Sequence, residues 1–538
     1  MPYSRIMVVM LYGWLVCLLV SVNPVKGTED NCRSCHGGMH TSCGLTCGQC
    51  HVSPNGARPS IEPNHQPVIA NPSRTEYWPE KCISCHREAI ESFKQSRHYR
   101  MDRIIYQTRY LWGKTDTLDV EGRDEAWKSL KALPRTASKK PEDLVDHLLA
   151  AKCMRCHFEA SGKQNGPGRK RPAGCAACHI QLHQKTGRYV NGHRLQKPDE
   201  DAVCLTCHSG NYVGADYYGY FEHDYHRDYQ TPYGSTPRFS AYQHSLQPDI
   251  HQQAGMSCMD CHYASPDSGK GKHLAGYERR KPRCQSCHGG FAGETAQPDI
   301  PAFNPKNTAH QDFHSKVKCS ACHARWSFQD YGMHLFLDET NHYTLWEDFM
   351  YQGDQYIVRW LQKELPKKPQ NRQNSTSINR LSGSPLPGIW YKAWTFRRWE
   401  DPVLGMDAGR YSILRPLYQY YITYVDSSDN VWLDSQKPHT EKGEHGWSWD
   451  AYSPHTTGRK GRKCESCHGS AKAVGLGIRQ SLRDSVAHEI TLPSDPVVPG
   501  VRLLTPAEQE KLLRKSETYK KWRAREFYRQ GMDEWFKD

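Results

Sequence analysis

Apolar and polar positions divide the 538-residue chain into short elements separated by long polar stretches. The longest apolar run, Ile6 to Val22, follows Arg5 and leads to Val25-Lys26-Gly27, with small residues where a signal peptidase reads. That layout predicts a secretory signal over residues 1–27 and a mature chain beginning at Thr28. An uncleaved anchor is the alternative, since about 17 apolar residues can just span a bilayer. No later stretch approaches that length, so no transmembrane span is expected in the mature chain. Helical patterns are short: Glu88 to Arg97, and Pro141 to Ala151, where a proline opens the first turn and acidic residues follow it. Leu345 to Leu365 also reads as helical. Tyr418 to Val425 alternates as a strand does, a turn follows at 426–430, and Val431 to Leu433 reads as a second strand. Gln370 to Gly388, rich in Asn, Ser and Pro, reads as a surface loop. Thr505 to Asp538 predicts an amphipathic helix with Thr505 as N-cap and Pro506 in the first turn.

A chain this long carries two or more domains' worth of core. Yet only 37% of its residues are hydrophobic, against roughly 45–50% in ordinary globular proteins when Gly is counted. Something other than aliphatic side chains must fill part of the interior. With 41 Gly, 33 Pro and 11% aromatics, the composition suits a loop-rich folded protein better than a disordered one and excludes collagen and coiled coil. Loss of Arg5 and Lys26 with the leader takes the formal net charge from +13 to +11.

The 22 cysteines change the picture. Twenty of them fall in ten copies of Cys-x-x-Cys-His: Cys32, Cys35, His36; Cys47, Cys50, His51; Cys82, Cys85, His86; Cys153, Cys156, His157; and Cys175, Cys178, His179. The series continues with Cys204, Cys207, His208; Cys258, Cys261, His262; Cys284, Cys287, His288; Cys319, Cys322, His323; and Cys464, Cys467, His468. A shuffled chain of this composition would hold about 0.05 copies of the pattern. Two thiols three residues apart reach the two vinyl groups of one haem, and the adjacent imidazole reaches the iron. Ten motifs therefore predict ten covalent c-type haems (heme c) and ten iron centres, with the motif Cys binding the cofactor and the motif His ligating the metal. Structural zinc needs no His directly after the second Cys, and disulfides within one turn would constrain almost nothing. Of the other two, Cys17 lies in the apolar leader run, and Cys43, in CGLTCGQCH, reads as an ordinary thiol, with a role in an unusual attachment at the second haem as the alternative.

Nineteen of the 29 His lie outside the motifs, enough to supply a second axial ligand to every iron. A His in that position keeps haem iron low-spin and closed. Eight stand at suggestive offsets: His98 after CISCH, His147 before CMRCH, His193 before CLTCH, His251 before CMDCH, His273 before CQSCH, His310 and His314 before CSACH, and His455 before CESCH. Most of these are expected to be distal ligands, without an assignment of each to its iron. Arg169 to Arg171, Arg279 to Lys281 and Arg459 to Lys463 crowd the motifs, where charge-assisted hydrogen bonds to haem propionates are expected. Nucleic-acid binding is not expected of these basic runs.

Nine motifs lie between Cys32 and His323, about one per 32 residues, so haems must pack closely and form much of the core. The expected fold is mostly loops and short α-helices around a closely spaced haem array, with a Trp/Tyr-rich α+β insertion before the last haem. The expected divisions are 1–27, leader; 28–323, nine-haem region; 324–463, haem-free insertion holding nine of the 15 Trp; 464–500, tenth haem; and 501–538, C-terminal helix. The eight tyrosines of Asn211 to Tyr242 are expected to line haem faces or pack loops.

The motif series resembles the multihaem c-type cytochromes of the periplasm and surface of anaerobic bacteria. CISCHREAIESFKQSRH resembles the helix-plus-distal-His segment of the group that includes cytochrome c554 and hydroxylamine oxidoreductase. PDIHQQAGMSCMDCH and GRKCESCHGSAKAVGLG are similar to segments of large electron-transfer cytochromes. The Cys-x-x-Cys-Lys motif of the related nitrite and tetrathionate reductases does not occur. The resemblance implies an exported, periplasmic or outer-surface electron carrier of anaerobic respiration. Its expected partners are a quinol-oxidising complex and other cytochromes, and an oligomer is compatible with it. The alternative is a haem oxidoreductase with one open iron acting on a small nitrogen or sulfur compound.

Overall fold

The structure is a computed structural model that describes residues 45–52, 69, 71–116, 123–160, 172–181, 194–196, 201–208, 213–222, 238–239, 243–262, 284–289, 296, 300–304, 306, 310, 314–343, 355–400, 402–417, 419–470, 498–513 and 524. The expected leader, the first motif (Cys32, Cys35, His36), Cys43, His193, His273, most of the tyrosine-rich stretch and the end of the expected C-terminal helix lie outside them. The chain divides into two compact units, residues 1–88 with 171–198, and residues 89–170 with 199–538.

In the first unit, described motif residues form single helical turns at Cys47–His51 and Ala176–His179. Helix α1 (Ile83–Lys94) starts here and bends at His86, whose backbone is non-helical. Trp78, buried, donates from its indole to the Ser73 carbonyl. Gly174, at φ +72, lies so near the Ser73 carbonyl that a Cβ would fall 1.9 Å from it. Only glycine fits that approach.

The second unit carries α2 (Asp102–Leu111), α3 (Arg123–Lys131) and α4 (Pro141–Ala151). Pro141 at the start and Glu142 and Asp143 in the first turn suit the helix N-terminus of α4, as its sequence predicts. The helices are joined by a buried ion pair: Arg109 donates to both carboxylate oxygens of Asp146 at 2.8 and 3.0 Å, and also to Ser129. Lys114 also pairs with Asp146 at 3.0 Å, so removing Asp146, which would leave the Arg109 guanidinium buried without its carboxylate, is the costly change, at about 3–5 kcal/mol.

Against α4 lies a sheet of order β8-β7-β1-β4, formed by β1 (Ser327–Asp338), β4 (Ile389–Glu400), β7 (Tyr420–Val425) and β8 (Val431–Gln436). β7 runs parallel to β1, from Tyr420 opposite Met333 to Val425 opposite Asp338. Leu144, Val145 and Leu148 of α4 share one core with Leu335, Leu337, Trp390, Ile422 and Tyr424. The strand, turn and strand expected over 418–433 are present as the antiparallel pair β7–β8.

The stretch expected to be a surface loop, Gln370 to Gly388, instead contains the hairpin β2 (Thr376–Ile378) with β3 (Pro385–Pro387). Asn371, Asn374, Ser382 and Ser384 are exposed, as the sequence suggests, but others of the polar residues are buried and bonded: Asn379 donates to the Leu130 carbonyl, and Arg380 donates to those of Ala150 and Ala151. The expected helix over 345–365 is described only as α5 (Gln355–Glu364).

A second sheet, β9-β6-β5-β10, joins β5 (Val403–Asp407), β6 (Arg410–Leu417), β9 (Ser448–Ala451) and β10 (Val501–Leu503), all antiparallel. Successive strand residues point to opposite faces, and here both faces are buried. Val403, Leu414, Trp449 and Val501 pack on Tyr421 and Trp447, whereas Leu404 and Ile413 pack on Ala321, Ala324 and Leu513. Residues 501–503 are thus a strand and not the start of the C-terminal helix, because Val501 continues the alternation of this sheet. The helix begins later, as α6 (Pro506–Leu513), with Thr505 and Glu508 exchanging capping hydrogen bonds.

Candidate haem-binding sites

Nine of the ten motifs fall in the described residues, and most share one local form. The His backbone N–H bonds back to the first Cys carbonyl at 2.9–3.0 Å in Cys82–His86, Cys175–His179, Cys204–His208, Cys284–His288 and Cys464–His468. One such turn places both thiols and the imidazole on a single side. The motif Cys153–His157 departs: its cysteines lie on a 3-10 turn, and His157 bonds to the Met154 carbonyl. The His157 ring is buried against Trp127 and Phe158, with centroids 4.2 and 4.4 Å away. None of the eighteen described motif cysteines is in a disulfide.

The motif imidazoles are oriented by a recurrent contact. Nδ1–H donates to a backbone carbonyl from His51 to Ile69 (2.8 Å), His179 to Gln196 (2.8 Å), His288 to Pro301 (2.7 Å) and His468 to Leu512 (2.9 Å), with a longer bond from His323 to Gly458 (3.3 Å). Such a bond fixes the tautomer and leaves Nε2 for a metal. These carbonyls were not legible in the sequence, since any residue supplies one.

Four histidines outside the motifs each face a motif histidine. Ring centroids are 5.9 Å apart for His98 and His208, 6.1 Å for His251 and His288, 6.3 Å for His262 and His455, and 6.3 Å for His314 and His468. A metal–imidazole bond is about 2 Å, and each ring centre lies about 1 Å beyond its nitrogen, so two rings on one metal face each other at about 6 Å. The four pairs fit an iron between two imidazoles, and their motif cysteines would hold the porphyrin. Haem c supplies one-electron redox chemistry when bound.

Each of these four histidines outside the motifs is placed by the local backbone. Ser96, buried, caps the one-turn helix Arg97–Arg100 and presents His98. Asp249 caps the turn Ile250–Gln253 and presents His251. The segment after His314 is held to β6 by the bonds of Lys316 and Lys318 to Tyr411. The segment with His455 is laid along motif nine: Arg325 N–H donates to Thr456, and Gly458 N–H donates to the His323 carbonyl.

Burial favours the neutral ring at His98, His208 and His262. It pulls His98 down to about 4, with His208 and His262 adding repulsion, and pulls His262 down to about 4, with His455 and His208 adding theirs. Neutral imidazole is the form that ligates. His251 moves the other way, raised chiefly by its hydrogen bond to Asp249 against the effect of burial. Burial acts to raise Asp249, but bonds from the His251 ring and from the His251 and Thr457 N–H groups outweigh it and hold the carboxyl below its ordinary value.

The remaining candidates are placed differently. His310 donates from Nδ1 to the Asn304 carbonyl and stacks on Phe303 at 4.7 Å, the same orienting bond as the motif histidines. His147 does not face a motif ring: Trp390 donates its indole N–H to Nδ1 at 2.9 Å, and Nε2 bonds to the Pro387 carbonyl at 3.0 Å. Both nitrogens are committed inside the core, so its place before CMRCH, which made it a distal candidate, reflects its role on the apolar face of α4.

Neighbouring motifs also meet through their thiols. The Cys207 thiol donates to the Cys156 carbonyl at 3.4 Å, Cys204 and Cys258 are hydrogen-bonded, and Cys261 lies within electrostatic range of Cys287. Cys284 bonds to Cys319, and Cys322 lies near Cys467. Motifs four, six, seven, eight, nine and ten therefore adjoin in that order. Although 140 residues separate motifs nine and ten in sequence, the Arg462 N–H donates to the Cys322 carbonyl at 2.7 Å. In the first unit, Cys82 and Cys175 are neighbours in the same sense.

Repeated Cys-x-x-Cys-His turns faced by second histidines define a multihaem c-type cytochrome. In agreement, residues 250–332, which span CMDCH, CQSCH and CSACH, match the family model for cytochrome c3. Neither a curated protein nor a solved structure matches the chain. No helix among the described residues is long and apolar enough to cross a membrane.

Proposed function

We propose that the chain is an exported ten-haem electron carrier that passes single electrons between a quinol-linked or periplasmic donor and a terminal acceptor. The observation that carries this reading is the set of four motif–distal histidine pairs at 5.9–6.3 Å. Two imidazoles on one iron close both axial positions and leave transfer of electrons as its chemistry. Electrons pass along motifs four, six, seven, eight, nine and ten, the order in which their thiols adjoin. In this reading the β-sheets are the scaffold of the far end: one sheet face supports the turns of motifs nine and ten together. His147 belongs to that scaffold and not to an iron.

Coulometric reduction of the purified holoprotein tests the proposal. It should take up ten electrons per chain, with a mass ten haems above that of the mature polypeptide. An uptake well below the number of bound haems would contradict it.

A further inference from the structure

We propose that Asp249 is a positioning residue shared by two consecutive haems, and that it makes the haem of Cys284–His288 harder to reduce than it would otherwise be. The inference rests on the reading above, in which His251 and His288 ligate one iron and His455 and His262 the next.

Asp249 is 2% exposed, and its two carboxylate oxygens are divided between the two sites. Oδ1 accepts from the His251 ring Nδ1–H at 2.8 Å and from the His251 backbone N–H at 2.9 Å. Oδ2 accepts from the Thr457 N–H at 2.6 Å, and the Thr457 carbonyl accepts from Ile250 N–H at 2.9 Å. Thr457 is two residues from His455, whose ring faces His262 at 6.3 Å. The backbone of Asp249 is itself anchored, its N–H donating to the Tyr217 carbonyl at 3.0 Å.

Among the described contacts, the bond to His251 differs in kind from those of the motif histidines. The Nδ1–H groups of His51, His179, His288, His323 and His468 meet neutral carbonyls, whereas that of His251 meets a buried carboxylate. A carboxylate acceptor raises the basicity of a ligating imidazole. A more basic axial ligand stabilises ferric over ferrous iron, which lowers the potential of that centre. The same side chain fixes the position of His455 through Thr457, so the spacing of the two sites and the potential of one are set by a single residue.

The test is an EPR-monitored redox titration of the full-length holoprotein in three forms: wild type, Asp249→Asn and Asp249→Glu. A fourth form, His251→Ala, identifies the signal belonging to this haem as the one it converts from low-spin to high-spin. In Asp249→Asn that signal should titrate at a higher potential, by at least a tenfold change in its reduction equilibrium, about 59 mV for one electron. Asp249→Glu should retain most of the native value. If Asp249→Asn accumulates without haem, Asp249→Ser, which is smaller than the native side chain, should show the same upward shift. Unchanged potentials in the neutral variants, with His251→Ala still giving its high-spin signal, would overturn the role of Asp249 and leave the ligand assignment standing. Absence of that high-spin signal would overturn both.

Discussion

His98 and His208 face each other edge to face with ring centroids 5.9 Å apart, although one follows the third motif and the other closes the sixth. In the proposed reading, the distal ligand of the sixth motif's haem is supplied by the chain that follows the third motif. His98→Ala should leave the haem on Cys204 and Cys207 with a single protein ligand. One equivalent of low-spin ferric signal should become high-spin, and added imidazole should restore it. A spectrum identical to wild type would show that His98 is not a ligand.

The four pairs differ in the angle between their rings: 88° for His98 and His208, 73° for His314 and His468, 60° for His251 and His288, and 23° for His262 and His455. Near-parallel axial rings split the iron d orbitals that point between them, and near-perpendicular rings leave those orbitals almost degenerate. Low-temperature EPR should therefore contain both rhombic low-spin signals and signals with a large maximum g value. His455→Ala should remove a rhombic component, and His98→Ala a highly anisotropic one.

The pairing of His147 with Trp390 is structural. Trp390→Phe removes the indole donor and leaves Nδ1 of a buried ring unpartnered, which should cost about 1–3 kcal/mol of stability. Haem content per chain and the low-spin signals should be unchanged in the folded variant. Loss of one haem signal in this variant would place His147 at an iron.

Acid should loosen the C-terminal helix. Glu508 is held down to about 2, first by its hydrogen bond to Arg502 and with burial opposing, below an ordinary value of 4.5. Its folded pKa is depressed, so its contribution is fully present above pH 4.5 and is lost as pH falls through about 2. Both side chains are partly exposed, and solvent screening limits the contribution to about 0.5–1 kcal/mol. Glu508→Gln should lower stability by this amount at pH 7 and flatten the change between pH 4.5 and 2, read by denaturant titration at each pH. Since Leu512 of this helix accepts from His468, the spectrum of the last haem should respond to the same acid step.

What was legible in the sequence was local. Helix α4 could be read from Pro141 and its acidic first turn, the β7–β8 hairpin from its alternation and turn, and the motif turns from their own spacing. Distal histidines were visible as candidates, but their partners were not, because His455 reaches His262 through tertiary contacts that leave no periodic signal. The parallel pairing of β7 with β1 is hidden for the same reason. The hairpin of 376–387 reads as a loop because Asn379 and Arg380 spend their polar groups on buried carbonyls. The role of Asp249 leaves one mark in the sequence, an acid two residues before a candidate histidine.

The central claim is that the irons are closed by two histidines and carry electrons. EPR of the fully oxidised protein, integrated against total haem, tests it most directly. Low-spin ferric signals should account for all ten irons. One full equivalent of high-spin ferric iron in the native protein would contradict the claim and direct attention to a substrate for that open site.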